Sequence, residues 1–157
     1  AEPISELLNN GALVPVSLSY EVDPCAPAKA KELAALARDG EYAKGEEEDL
    51  DSMIQGLLGY KGRVHVHFSK PIAQDCDSVD QLVQQLDSAI VGGIRVFSTN
   101  RYADAVLADE AHGTHASSKA MSALQTQLDQ CSEEQRVFLL QQYANICVNR
   151  RQLSLDA

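Results

Sequence analysis

The stretch Ala12-Leu13-Val14-Pro15-Val16-Ser17-Leu18-Ser19-Tyr20 decides how the chain folds. Its alternation predicts a strand, with Val14, Val16, Leu18 and Tyr20 on one face and Leu13, Pro15, Ser17 and Ser19 on the other. Pro15 has no N–H to give to a ladder, so the strand must be an edge there, bulge, or abut something other than a partner strand. Both faces are apolar or small, the pattern of a layer lying between helices and neighbouring strands. Ahead of it, Ile4 to Asn10 followed by Gly11 reads as the tail of a helix with a glycine stop. A chain that opens in mid-unit, on Ala1 and not on Met, reads as an excised or truncated product.

Downstream, Asp23-Pro24-Cys25-Ala26-Pro27 is a turn, and Ala28 to Arg38 forms a helix with Ala30, Leu33, Ala34 and Ala37 at helical spacing, ending near Gly40. A second helix begins near Glu46. There Leu50, Met53, Ile54, Leu57 and Leu58 make a stripe expected to face the core, while the acidic run Glu46 to Asp49 suits a helix N-terminus or, alternatively, a metal cluster. Gly59-Tyr60-Lys61-Gly62 turns the chain into a second strand, Arg63 to Ser69, with Val64, Val66 and Phe68 expected inward and Arg63, His65 and His67 outward. Ser78 and Gln81 form a capping box for a third helix whose stripe is Val79, Leu82, Val83, Leu86 and Ile90. Beyond Gly92-Gly93 the pattern is helical throughout, over Thr99 to Ala108, Ser117 to Cys131, and Glu133 to Cys147 behind a Ser132/Gln135 cap. The expected fold class is therefore α/β, with residues 1–91 as an α/β portion of few strands and flanking helices, and residues 92–157 as an all-helical extension. Two strands do not make a stable sheet alone, so this is expected to be the distal part of a larger α/β domain.

Composition narrows the function. The chain has 157 residues, 45% hydrophobic and 23% charged, an ordinary globular balance for one domain. Thirteen Lys+Arg against 23 Asp+Glu leave a charge of −10, the wrong sign for gripping a phosphate backbone, so nucleic acid is excluded as a partner. Apolar runs such as Ala12 to Val16 are far shorter than the roughly 20 residues that cross a bilayer. Cys25, Cys76, Cys131 and Cys147 are scattered without a Cys-x-x-Cys pair, as expected of buried free thiols in a reducing, cytoplasmic compartment.

The residues of catalysis are harder to find. His65 and His67 share one strand face, a spacing that fits either a solvated polar face or a ligand pair, although Arg63 beside them would repel a cation. His112 and His115 fall in a Gly- and Ser-flanked loop. No Gly-x-Ser-x-Gly elbow, phosphate-cradling Gly-x-x-x-x-Gly-Lys loop or Gly-x-Gly-x-x-Gly is present. From the residues alone no active site, no metal site and no cofactor emerges.

The wording of several segments adds to this. Val14-Pro15-Val16-Ser17-Leu18-Ser19-Tyr20-Glu21, then Asp23-Pro24-Cys25, then Gly59-Tyr60-Lys61-Gly62-Arg63-Val64-His65-Val66, resembles bacterial glycerolipid acyltransferases, in particular a proteobacterial branch of the 1-acylglycerol-3-phosphate acyltransferase superfamily. Tyr143-Ala144-Asn145 and Val148-Asn149-Arg150 resemble the end of that branch, so the likeness runs from about residue 5 to residue 151. In the superfamily a Val-Pro block is the last of four motifs and helps to form the acyl pocket. The resemblance implies that role for Val14, Pro15 and Val16, and makes Lys61 and Arg63 the nearest basic candidates for an acceptor phosphate.

What the chain lacks is as telling. Family members use a His-x-x-x-x-Asp pair, in which the histidine is general base on a glycerol hydroxyl. Here His65, His67, His112 and His115 are followed five residues on by Lys70, Ile72, Ser117 and Ala120, and the family's Glu-Gly-Thr-Arg turn is absent, since His112-Gly113-Thr114-His115 shares only two letters with it. In the family both motifs precede the Val-Pro block. The resemblance thus implies a C-terminal fragment of a phospholipid-synthesising transferase whose parent moves an acyl chain from a thioester, acyl-CoA or acyl carrier protein, to a lysophospholipid. Any membrane contact would be peripheral, at the inner face and through the missing half. The competing expectation is a non-catalytic helical interaction module, its tail from about Ile94 docking a partner.

Overall fold

In the computed structural model, which describes residues 11–72, 76, 78–110 and 118–155, Pro15 marks the start of the sheet. Strand β1, Val16–Tyr20, pairs antiparallel with β2, Val64–Phe68, as a two-stranded ribbon. The Ser69 amide donates to Pro15 O at 2.9 Å and the Glu21 amide to Arg63 O at 2.9 Å. This register sets Val16 opposite Phe68, Leu18 opposite Val66, and Tyr20 opposite Val64. Pro15 thus serves the ribbon only as an acceptor, at its end, where a missing N–H costs least.

Six helices hold 61% of the described residues. In chain order they are α1 (Ala26–Asp39), α2 (Glu48–Leu58), α3 (Val79–Gly93), α4 (Ser98–Leu107), α5 (Lys119–Gln130) and α6 (Glu133–Gln152), with β2 falling between α2 and α3. Local chemistry explains their ends. Asp23 Oδ1 accepts from the Cys25 amide ahead of α1, and Gly40 closes it in the left-handed region at φ 79°, its N–H reaching Leu36 O. Ser78 Oγ accepts from the Gln81 amide at the start of α3, and Ser132 and Gln135 cap α6 reciprocally. The order of elements is the expected one: strands and helices first, helices alone after Gly93. The expected helix tail before Gly11 and the start of a helix at Ser117 lie outside the described residues.

The described residues divide into two units that do not follow chain order: 11–19, 65–72, 76, 78–95 and 149–155 form one, and 20–64, 96–110 and 118–148 the other. In the first, α3 packs Leu82, Leu86 and Ala89 around Ile72 and Cys76. In the second, a core of Ala26, Ala30, Ala103, Leu124, Leu128, Leu139, Leu140 and Tyr143 joins α1, α4, α5 and α6. Buried polar groups there pin the chain that leaves β1. Thr99 Oγ1 donates to Glu21 O (2.6 Å), Gln127 Nε2 to Asp23 O (2.7 Å), and the Asp23 amide to the Tyr143 hydroxyl (2.9 Å). That hydroxyl in turn donates to Gln127 Oε1, so each buried polar atom has a partner.

Two expectations about facing are reversed. Val64, Val66 and Phe68, expected inward, are exposed, as are Val16 and Leu18 opposite them, whereas Ser17 and Ser19 are buried. The reason is α3. Near its C-terminal end its carbonyls face the ribbon, and Ser17 Oγ donates to Ile90 O (2.8 Å), which also accepts from the Ile94 amide, while Ser69 Oγ donates to Ala89 O (3.3 Å). Gly93 permits the approach, because a Cβ there would lie 2.6 Å from His67 Cδ2 and 2.7 Å from Ser17 Oγ. The stripe of α2 is likewise open to solvent, with no residue of that helix buried.

Candidate functional site

The Val-Pro block sits at the head of the ribbon. Pro15 is buried, while Val14 and Val16 stand on the open face. Within the first unit that face continues through Leu18, 50% exposed, Val66, and Phe68, 70% exposed. Five large apolar side chains on one sheet face form a surface of the kind that proteins usually cover. The opposite face carries Ser17, Ser19, His65 and His67, with the two imidazole centroids 6.3 Å apart. Ser19 Oγ accepts from the Arg95 amide at 2.9 Å, so this face belongs to the packing around α3. Among the described residues no group of three or more His, Cys, Asp or Glu gathers as a metal site. His112 and His115 lie outside the described residues.

Both basic candidates already have partners in the second unit. Arg63 grips Glu21 with Nε to Oε2 at 3.1 Å and Nη2 to Oε1 at 2.7 Å, while its own amide donates to Oε2 at 3.0 Å. Its guanidinium also lies 5.1 Å from the Phe97 ring centroid. The arginine's hydrogen bonds hold the buried Glu21 carboxyl below the usual range, against a desolvation that would raise it. Gly62 makes room for this clamp: at φ 64° it adopts the left-handed turn, and a Cβ there would meet Glu21 Oε2 at 2.9 Å. Lys61 Nζ donates to Leu57 O and Gly59 O, both at 3.1 Å, closing the C-terminal end of α2.

The segments that carry the family resemblance therefore meet in pairs: Glu21 with Gly62-Arg63, and Asp23 with Tyr143. Neither pairing could be read from the sequence. The only hint would have been polar Asn100, Gln127 and Tyr143 standing where a helix presents its core face.

Clefts lie elsewhere. One of about 740 Å³ runs between the end of β2 and α3, bordered by His67, Lys70, Gln81, Gln85 and Ser88. Another of about 520 Å³ lies between α1 and α2, beside Cys25, Lys31 and Glu48. Cys25 is half-buried, with its Sγ 3.5 Å from Ser52 O; Cys76, Cys131 and Cys147 are buried, and all four are free thiols. Burial pushes the Cys131 thiol up, away from the reactive thiolate.

Comparison with family models, with curated proteins and with solved structures finds no match for this chain. Among the described residues no helix is long and apolar enough to cross a membrane.

Proposed function

We propose that this chain is the C-terminal part of a glycerolipid acyltransferase of the 1-acylglycerol-3-phosphate acyltransferase type, itself without the catalytic pair. One observation carries the reading: the Val-Pro-Val strand presents Val14 and Val16 on an open apolar sheet face that continues through Leu18, Val66 and Phe68. Such a face suits an aliphatic acyl chain, or the further layer of an α/β domain that would enclose one.

In the parent, a histidine followed five residues later by an aspartate takes the proton from a lysophospholipid hydroxyl. The freed oxygen attacks the thioester carbonyl, and the thiol of coenzyme A or of an acyl carrier protein leaves. This chain contributes the apolar wall and no proton transfer. Lys61 and Arg63 remain the basic candidates for the acceptor phosphate, Arg63 already engaged by Glu21 and Lys61 by the end of α2. The parent works in the cytoplasm, peripherally at the inner face of the membrane.

The test has two arms. The reading frame upstream of Ala1 should encode an in-frame His-x-x-x-x-Asp and a Glu-Gly-Thr-Arg-like turn, and a stop codon or a genuine start there overturns the proposal. The product of the whole frame should transfer acyl groups from a thioester to 1-acylglycerol-3-phosphate, whereas residues 1–157 alone should not. Phe68→Asp in the whole product should lower that transfer by tenfold or more. A second reading, a non-catalytic helical interaction module, is favoured by the exposed stripe of α2; it predicts a genuine start codon and no transfer by any form of the protein.

A further inference from the structure

Helix α2 turns its apolar side away from its own unit. The residues that hold it in place are small or polar. Ser52 O accepts from Cys25 Sγ, a Cβ on Gly56 would lie 3.6 Å from that sulfur, and Glu48 bonds the Tyr42 hydroxyl and, at 3.1 Å, the Gly45 amide. At 100° per residue, the centre of Glu48, Ser52 and Gly56 lies about 170° from the centre of Leu50, Met53, Ile54, Leu57 and Leu58. The stripe is thus on the far side of the helix from its contacts, with Leu57 77% and Leu58 83% exposed. Solvation gives no reason to gather five large apolar side chains there.

We infer that the stripe is the contact through which a second copy of this chain docks, the two α2 helices crossing antiparallel about Ile54. The charges at its ends are complementary in that orientation. At the N-terminal turn Glu47 lies on the stripe side by the same spacing, while Glu48 is held by Tyr42 and Gly45 and Asp49 by Lys44; the C-terminal end carries the Lys61 ammonium, held there by Leu57 O and Gly59 O. An antiparallel pair sets each acidic turn beside the other copy's Lys61 and aligns the helix dipoles favourably. The same acidic turn opposes an anionic bilayer surface. Five side chains that each cover roughly 100 Å² bury about 1,000 Å² across the pair, the lower end for a specific and reversible association. The charge of −10 on each copy works against the contact, but most of it lies beyond the Debye length of about 8 Å at physiological salt. The inference stands independently of the acyltransferase reading.

Sedimentation velocity of the full chain across a micromolar concentration series tests it. A monomer–dimer equilibrium is expected, and a monomer at every concentration overturns the inference. Ile54→Asp should abolish the dimer while leaving the circular dichroism and melting temperature of the monomer unchanged; a persisting dimer would place the contact elsewhere and overturn it too. Glu47→Lys and Lys61→Glu should each weaken association about two- to fivefold, the scale of an exposed ion pair, and the two changes together should restore it. Failure of the double exchange to restore association overturns the antiparallel orientation.

Discussion

Helices α1 and α2 are consecutive, both amphipathic by sequence, and opposite in fate. α1 buries Ala26, Ala30 and Ala34, three of the smallest side chains available, in the core of its unit. α2 carries five of the largest and buries none. Hydrophobic spacing says which side of a helix seeks cover; whether this chain supplies the cover depends on what arrives from elsewhere. α1 meets α5 and α6, with Gln142 Nε2 reaching Ala26 O, whereas the far side of α2 stays largely exposed. The ribbon repeats the contrast between its own two faces, serines inside and valines outside.

The largest effect should come from the buried side of this contrast. Leu124, fully buried on α5, should cost about 2–5 kcal/mol on Leu124→Ala, measured by urea unfolding. Ala30→Leu should cost about 1–3 kcal/mol, because α1 lies too close to its neighbours to admit a larger side chain. A neutral result there would show that α1 is no better packed than α2.

Glu21→Gln should cost on the order of 1–3 kcal/mol, since it weakens a charged hydrogen-bond clamp around a buried side chain. It should also change the response to acid. The folded pKa of Glu21 lies below the ordinary 4.5, so its contribution is complete above that value and is lost as pH falls through the folded pKa. Melting temperatures between about pH 3 and 5 should fall less steeply in the variant than in the wild type. An unchanged slope would mean that the Arg63 clamp does not bear on stability.

The smallest effect should be Leu57→Ala, within about 0.5 kcal/mol at concentrations low enough to keep the chain monomeric. A cost above that would mean that α2 is covered within the single chain, and the contrast with α1 would fail.

What the sequence determined by itself is the order of elements and the chemistry of their ends. The Ser78/Gln81 and Ser132/Gln135 caps and the Gly40 stop were legible because each acts on residues within a few positions of itself, whereas the strand expected from Ala12 begins only at Val16, past Pro15. The free state and scatter of the cysteines followed in the same way. Facing was not legible. Alternation separated Val16 and Leu18 from Ser17 and Ser19, but the choice of buried face was made by Ile90 O, 73 residues from Ser17. Lys61 and Arg63 stood out only as basic residues near a turn, yet Glu21, 42 residues away, engages Arg63, and the tie between Asp23 and Tyr143 spans 120 residues. Only the tertiary structure brings such groups together, because a hydrogen bond or a packed face depends on proximity in space, and spacing along the chain reports proximity only over a turn or two of helix or across adjacent residues of a strand.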